Sequence, residues 1–206
     1  MKAIRVVIQI AFLVIFFIVV AKGNMFLWFG LFILSLLGAT FLGRFYCGYI
    51  CPMNTIMRIT EKISIKMNWR TEKTPKLLVN KYFSWVVLLQ MIAVMILSKK
   101  VLHHEIPMLI ILLVLSVIVT LRYESWVFHN HICPFGALLN LTGRWAMYST
   151  KVDESKCVGC KKCEKVCPSK AIKVDSINRM AEINRSLCHQ CQECTCVCPK
   201  NAIHYK

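Results

Sequence analysis

Four stretches without a single charged residue, Val6 to Ala21, Met25 to Gly43, Tyr82 to Ser98 and Ile106 to Leu121, constrain this chain more than any other feature. Each approaches the roughly 20 residues that cross a hydrocarbon core, and flanking Arg5, Lys81 and Arg122 can lengthen the shorter ones by snorkelling. A lone run of this length could be the core helix of a soluble protein; four in succession argue for membrane helices. Met25 to Gly43 is decisive, because apolar residues at roughly −0.3 to −0.6 kcal/mol each favour its insertion by several kcal/mol. The other runs follow as its hairpin partners. Pro107 falls just inside the start of the fourth, where its missing N–H costs least.

The basic start of the chain, followed by an apolar run, could be read as a cleavable leader. Ala21-Lys22-Gly23 lacks the small-x-small cleavage pattern and a second span follows at once, so the first helix is expected to stay. Arg44, Arg58, Lys62, Lys66, Arg70, Lys73, Lys76 and Lys81 all lie between spans two and three, whereas the opposite connections carry Lys22, Lys99 and Lys100. The positive-inside rule then places both termini, the middle loop and everything after the fourth span in the cytoplasm, in an inner-membrane, multi-pass topology. The net charge of +16 is explained by headgroup contact and needs no nucleic acid.

The chain's last third has a different character. Of twelve cysteines, eight form two copies of one pattern: Cys157, Cys160, Cys163, Cys167-Pro168 and then Cys188, Cys191, Cys194, Cys198-Pro199. The copies repeat with an offset of 31 that also matches Ala171-Ile172 to Ala202-Ile203. In a reducing cytoplasm such spacing means metal rather than disulfides. C-x2-C pairs also bind zinc, but three thiols followed by a fourth and a proline fit the run that holds iron-sulfur cubanes, whose fourth thiolate goes to the other cluster. We therefore expect two [4Fe-4S] clusters, one on Cys157, Cys160, Cys163 and Cys198, the other on Cys188, Cys191, Cys194 and Cys167. About 55 residues bury too little apolar surface to be stable alone, so ligation should contribute directly to folding. Cys196 is an extra thiol, expected to be spare and buried. Lys161, Lys162 and Lys165, interleaved with the ligands, read as a solvated basic face that could also steer an acidic redox partner.

The membrane part repeats too, with an offset of 82. Tyr46-Cys47-Gly48-Tyr49-Ile50-Cys51-Pro52 ends the second span and Phe128-His129-Asn130-His131-Ile132-Cys133-Pro134 follows the fourth. Proline pushes the preceding cysteine out of helical geometry, so Cys51 and Cys133 should sit where the chain turns at the membrane surface. If the halves pack about a pseudo-twofold axis, Cys47, Cys51, His129 and Cys133 converge into a site of three thiolates and one imidazole. That set suits a third iron-sulfur centre or another metal such as copper or zinc, with His131 an alternative ligand. Its simpler reading is free thiols and polar helix ends. His103, His104 and Met108, on the opposite side, read as polar loop residues rather than a metal trap.

The expected fold is thus an α-helical membrane bundle of four transmembrane helices, as two pseudo-repeated hairpins, over residues 1–149, with a small α+β two-cluster ferredoxin domain over 150–206. The Cys47 to Pro52 turn, the related His129 to Pro134 turn and the paired tail motifs together resemble the polyferredoxin-type membrane proteins. That group includes NapH-type subunits of the nitrate reductase system, the C-terminal half of the nitrous-oxide reductase regulator and the membrane ferredoxins of cytochrome oxidase assembly. The family's C-x3-C-P turns match Cys47, Cys51 and Cys133; His129 departs from it, standing where the second turn would have its first cysteine.

The resemblance implies electron transfer between membrane quinol or quinone and a redox partner protein. Arg44, Tyr46, Tyr49 and Trp126 serve as aromatic-belt residues at least as readily as quinone contacts. Two rivals remain: a maturation factor that reduces a metal or thiol for another enzyme, in which His103, His104 and Met108 would matter more, and an anchor whose clusters only stabilise the tail.

Overall fold

The computed structural model describes residues 2–71, 74–80, 82–102 and 107–206; Lys73, Lys81, His103, His104 and Ile106 lie outside them. Two apolar helices open the chain, α1 (Lys2–Ala21) and α2 (Met25–Leu42), and a third, α4 (Phe83–Leu97), runs on into a π turn at Ser98–Leu102. Ala3–Ala21, Met25–Leu42 and Phe83–Lys100 are each long and apolar enough to cross a membrane. Only 17% of the first and 22% of each of the others is buried, so Val14, Phe17 and Ile18 on α1 and Leu34, Leu37 and Phe41 on α2 are uncovered. Apolar surface on this scale needs an apolar surrounding, and these three helices suggest membrane association.

The fourth run departs from expectation. Its helix, α5 (Met108–Arg122), has 15 residues and begins one residue after Pro107 rather than around it. At 1.5 Å per residue it reaches about 22 Å, short of a hydrocarbon core of about 30 Å.

By packing, the chain divides into two units, Met1–Pro52 with Leu139–Lys206, and Met53–Leu138. In the second, the connection between spans is largely the helix α3 (Pro52–Lys66). Ser64 donates to the Leu121 carbonyl at 2.6 Å, the Thr71 amide to the Arg122 carbonyl at 2.9 Å, and Arg70 pairs with Glu61 at 2.9 Å. On α5, the buried Ser116 and Thr120 return their hydroxyls to carbonyls of their own helix, so a small polar face packs without unmet donors. The three-residue helix α6 (Ser125–Val127) leads into a second π turn, Phe128–Ile132, and α7 (Pro134–Gly143) follows.

In the first unit the tail folds as two interlocked halves. Strand β1 (Thr150–Val152), helix α8 (Lys162–Val166) and strand β2 (Ile172–Val174) return 31 residues later as β3 (Ala181–Ile183), α9 (Glu193–Val197) and β4 (Ile203–Tyr205). The pairing crosses between halves: β1 runs antiparallel to β4 with Thr150 opposite Tyr205, and β2 to β3 with Ile172 opposite Ile183. Neither half completes a sheet alone. Ile172, Val174, Ala181 and Ile203 close the core around Cys163 and Cys194.

Candidate functional site

The cysteine loops are shaped by left-handed residues at matching places. Gly159, Lys161 and Lys170 in the first half correspond to Gln190, Gln192 and Asn201 in the second, all at φ between 47° and 65°. Left-handed residues inside otherwise right-handed turns make concave nests of N–H groups that suit anions, cluster sites included. Non-glycine residues adopt this conformation at a cost, so its recurrence at an offset of 31 reflects a demand of the loop rather than local preference. After each Cys-Pro pair an amide turns back to sulfur: Ala171 N–H to Cys167 Sγ and Ala202 N–H to Cys198 Sγ, both 3.3 Å. Hydrogen bonds to the sulfurs are among the features that set the potential of an iron-sulfur cluster.

Thiols from the two halves intermix. Cys157, Cys160 and Cys163 line one cavity together with Cys198 from the other half, and Lys156, Lys161 and Lys200 complete its wall. Cys160 is exposed, as are those three lysines. The second set is Cys188, Cys191 and Cys194, electrostatically coupled to Cys167 from the first half. Burial, reinforced by the neighbouring thiols, pushes Cys188 up to about 12 and raises Cys194 as well. Such thiols keep their protons unless a cation replaces them.

Among the described residues, no three His, Cys, Asp or Glu side chains close to the spacing of a single metal ion. Zinc needs its thiolates on one point; a cubane takes each on a different iron and spreads them around a volume. The donor set, the nests and the spread of the thiols fit the larger group. Bound there, it supplies one-electron chemistry.

Cys196 is exposed, against the expectation of burial. On α9, Cys194 faces the core, and a residue two positions on points to roughly the opposite side of a helix.

The two sets differ in surroundings. Whereas the Cys157 to Cys163 loop faces outward, the Ser186 to Glu193 loop is clamped to the membrane helices of its own unit. Arg5, on α1, donates to the Cys191 carbonyl and pairs with Glu193. One turn further along α1, Gln9 donates to the Gly48 carbonyl at 2.8 Å. A Cβ on Gly48 would lie 2.2 Å from the His189 carbonyl oxygen, and one on Gly43, at φ +69°, 2.6 Å from Gln190 Nε2. Gln190 in turn accepts from the Thr150 amide and hydroxyl at 3.0 and 2.8 Å. The first tail set is therefore the outer one and the second the inner.

Both membrane turns are single π turns, Tyr46–Ile50 and Phe128–Ile132, ended by an extended cysteine before a proline that opens the next helix. Cys51 has φ −64° and ψ 116°; Cys133 has φ −65° and ψ 117°. The amide of each reaches back five residues, Cys51 to Tyr46 at 2.9 Å and Cys133 to Phe128 at 2.8 Å. Proline thus acts as expected on both cysteines. Such π bulges are frequent at functional sites.

In the first unit Cys47 and Cys51 are buried, and Arg44 Nη2 donates to Cys47 Sγ at 3.7 Å. In the second, His129 is buried with Nε2 3.2 Å from Asn54 Oδ1, and Cys133 Sγ accepts from the Gly136 amide at 3.4 Å. Arg44 and Tyr46 are not belt residues: both are buried, and the Tyr46 hydroxyl accepts from Trp28 Nε1 at 3.0 Å. Packing of the π turn against α1 and α2 draws Tyr46 inside, and Arg44 is enclosed by Gly143, Cys47 and Ser186.

A family model described as a 4Fe-4S binding domain matches residues 24–70 and 105–147, which contain the two turns, and another of the same description matches 150–173. An uncharacterized protein of Methanocaldococcus jannaschii is 30% identical over 153 residues, 72% of this chain and 61% of the relative. The methylamine utilization ferredoxin-type protein MauN of Methylobacillus flagellatus is 23% identical over 145 residues, 61% of this chain and 48% of its own length. The ketoisovalerate oxidoreductase subunit VorD of Pyrococcus horikoshii is 51% identical over 35 residues, 17% of this chain and 33% of VorD. The chain thus spans less than two thirds of each of these relatives. No solved structure matches it.

Proposed function

We propose that this chain, which carries 4Fe-4S binding domains, is a polyferredoxin-like iron-sulfur electron-transfer protein that links a membrane quinol or quinone to a redox partner protein in the cytoplasm. Cys188, Cys191, Cys194 and Cys167 would hold an inner [4Fe-4S] cluster, and Cys157, Cys160, Cys163 and Cys198 an outer one. Cys47 and Cys51 in the first unit, and His129 and Cys133 in the second, would be the ligands through which the turns take part in a third iron-sulfur or other metal centre. The observation that carries this reading is the clamp between the Ser186 to Glu193 loop and the Gly48 turn, which supports an inner cluster site next to the apolar helices. The other site presents exposed Cys160 within a ring of lysines, the surface an acidic partner would seek.

In the membrane, we propose four spans with both termini and the tail on the cytoplasmic side, the short α5 reaching the interface through Arg122. Helix α3 supports this placement. Exposed Ile59 and Ile63 alternate there with exposed Lys62 and Lys66, as on a helix lying in the headgroup layer. Residues 1–149 would serve the membrane end and 150–206 the partner. The test is anaerobic reconstitution in lipid with a reduced quinone analogue: visible bleaching that reverses on adding an oxidised partner mimic is expected. Clusters that neither quinol nor its oxidised form can turn over would sink the proposal.

A further inference from the structure

Arg44 is a cation with no exposed surface. Its Nη1 donates to the Ser186 carbonyl at 3.1 Å and its Nη2 to Cys47 Sγ at 3.7 Å, while its Nε has no partner. Among the described residues it meets no carboxylate. Room for it depends on Gly143, where an added Cβ would lie 3.0 Å from Arg44 Cγ. A guanidinium cannot shed its proton, and an uncompensated buried charge is strongly destabilising. The missing negative charge must therefore come from groups that become anionic in the working protein. Cys47 and the loop that runs from Ser186 to Cys188 are the groups Arg44 holds.

We propose that Arg44 is the buried counter-charge of the inner cluster site and of Cys47, a positioning residue that raises the inner site's reduction potential. Reduction adds one negative charge, which a nearby cation favours. The effect is selective. Arg5, the other buried cation at this loop, is already paired with Glu193, and the lysines of the outer site are exposed and screened by water.

The inference rests on the cluster assignment proposed above, so the test first labels the signals. In the full-length protein, held in lipid and titrated anaerobically with redox mediators, Cys191→Ser removes the inner signal and Cys160→Ser the outer. Arg44→Gln should then lower the midpoint of the inner signal alone, and Arg44→Lys, which keeps the charge, should restore most of it. An unmoved inner midpoint, an equal shift of both signals, or a lysine variant displaced as far as the glutamine variant would overturn the role. Should Arg44→Gln lose its iron, Arg44→Lys decides alone: a wild-type midpoint supports the role, and a lowered midpoint or lost iron refutes it. A wild type with fewer than two clusters refutes the assignment and this inference together; two clusters with an unmoved inner midpoint refute Arg44 only.

Discussion

Replacing Gly48 by alanine probes the clamp on which the inner site depends. Its new Cβ would lie 2.2 Å from the His189 carbonyl oxygen, 3.4 Å from that carbonyl carbon and 3.6 Å from Cys191 Cα. All three are backbone atoms, so no side chain can swing away, and ordinary contact requires a retreat of about 1 Å. Helix propensity favours alanine over glycine by up to about 1 kcal/mol, while overpacking costs about 1–3 kcal/mol; with backbone as the obstacle the upper figure applies, leaving a net loss of about 2 kcal/mol. The displaced segment lies between two inner-site cysteines, so the loss should appear as weaker cluster retention. The assay is the denaturant concentration at which half of the visible cluster absorbance disappears, compared with Gly30→Ala. Gly30 is a helical glycine whose Cβ would meet nothing within 4 Å. The expected order has Gly48→Ala below wild type and Gly30→Ala level with or above it. A Gly48→Ala protein as robust as Gly30→Ala, with full iron, would refute the clamp.

Further expectations concern the cysteines. Cys196→Ser, at an exposed position, should leave iron content and spectra unchanged; iron loss would make Cys196 a ligand. Cys47→Ala and His129→Ala should each remove iron beyond the roughly eight atoms of two cubanes, and identical iron in both variants and the wild type would eliminate the third centre. Because burial raises Cys188 to about 12, the cluster-free chain keeps that thiol protonated at neutral pH, and ligation must expel the proton. Iron uptake should release protons and proceed further at about pH 8.5 than at about pH 6.5; occupancy independent of pH would contradict this.

The tail was legible in the sequence because its information is local and repeated. The offset of 31 fixed the matching strands, helices and left-handed residues, and the crossed fourth cysteine anticipated the crossed strand pairing. The turns at Cys51 and Cys133 were legible for the same reason, through proline's effect and the offset of 82, but their π geometry was not. What escaped notice depends on long-range packing. Arg44 reads as a headgroup contact until the fold shows it wrapped by Gly143, Cys47 and Ser186. Gly48 carries no sign of the carbonyl pressed against it. One available signal was missed: Arg5 and Gln9 stand one turn apart on an otherwise apolar stretch, and polar residues so placed mark a face that meets something polar.

The central claim is an order: membrane turn, inner site, outer site, partner. Its most direct test follows reduction by quinol in lipid of two variants, each shown beforehand to retain its remaining cluster. With Cys160→Ser, which spares the inner site, the account predicts reduction at the wild-type rate. With Cys191→Ser, which spares the outer site, it predicts that the remaining cluster is reduced by dithionite but not by quinol. Rapid quinol reduction of the outer cluster without the inner would contradict the order.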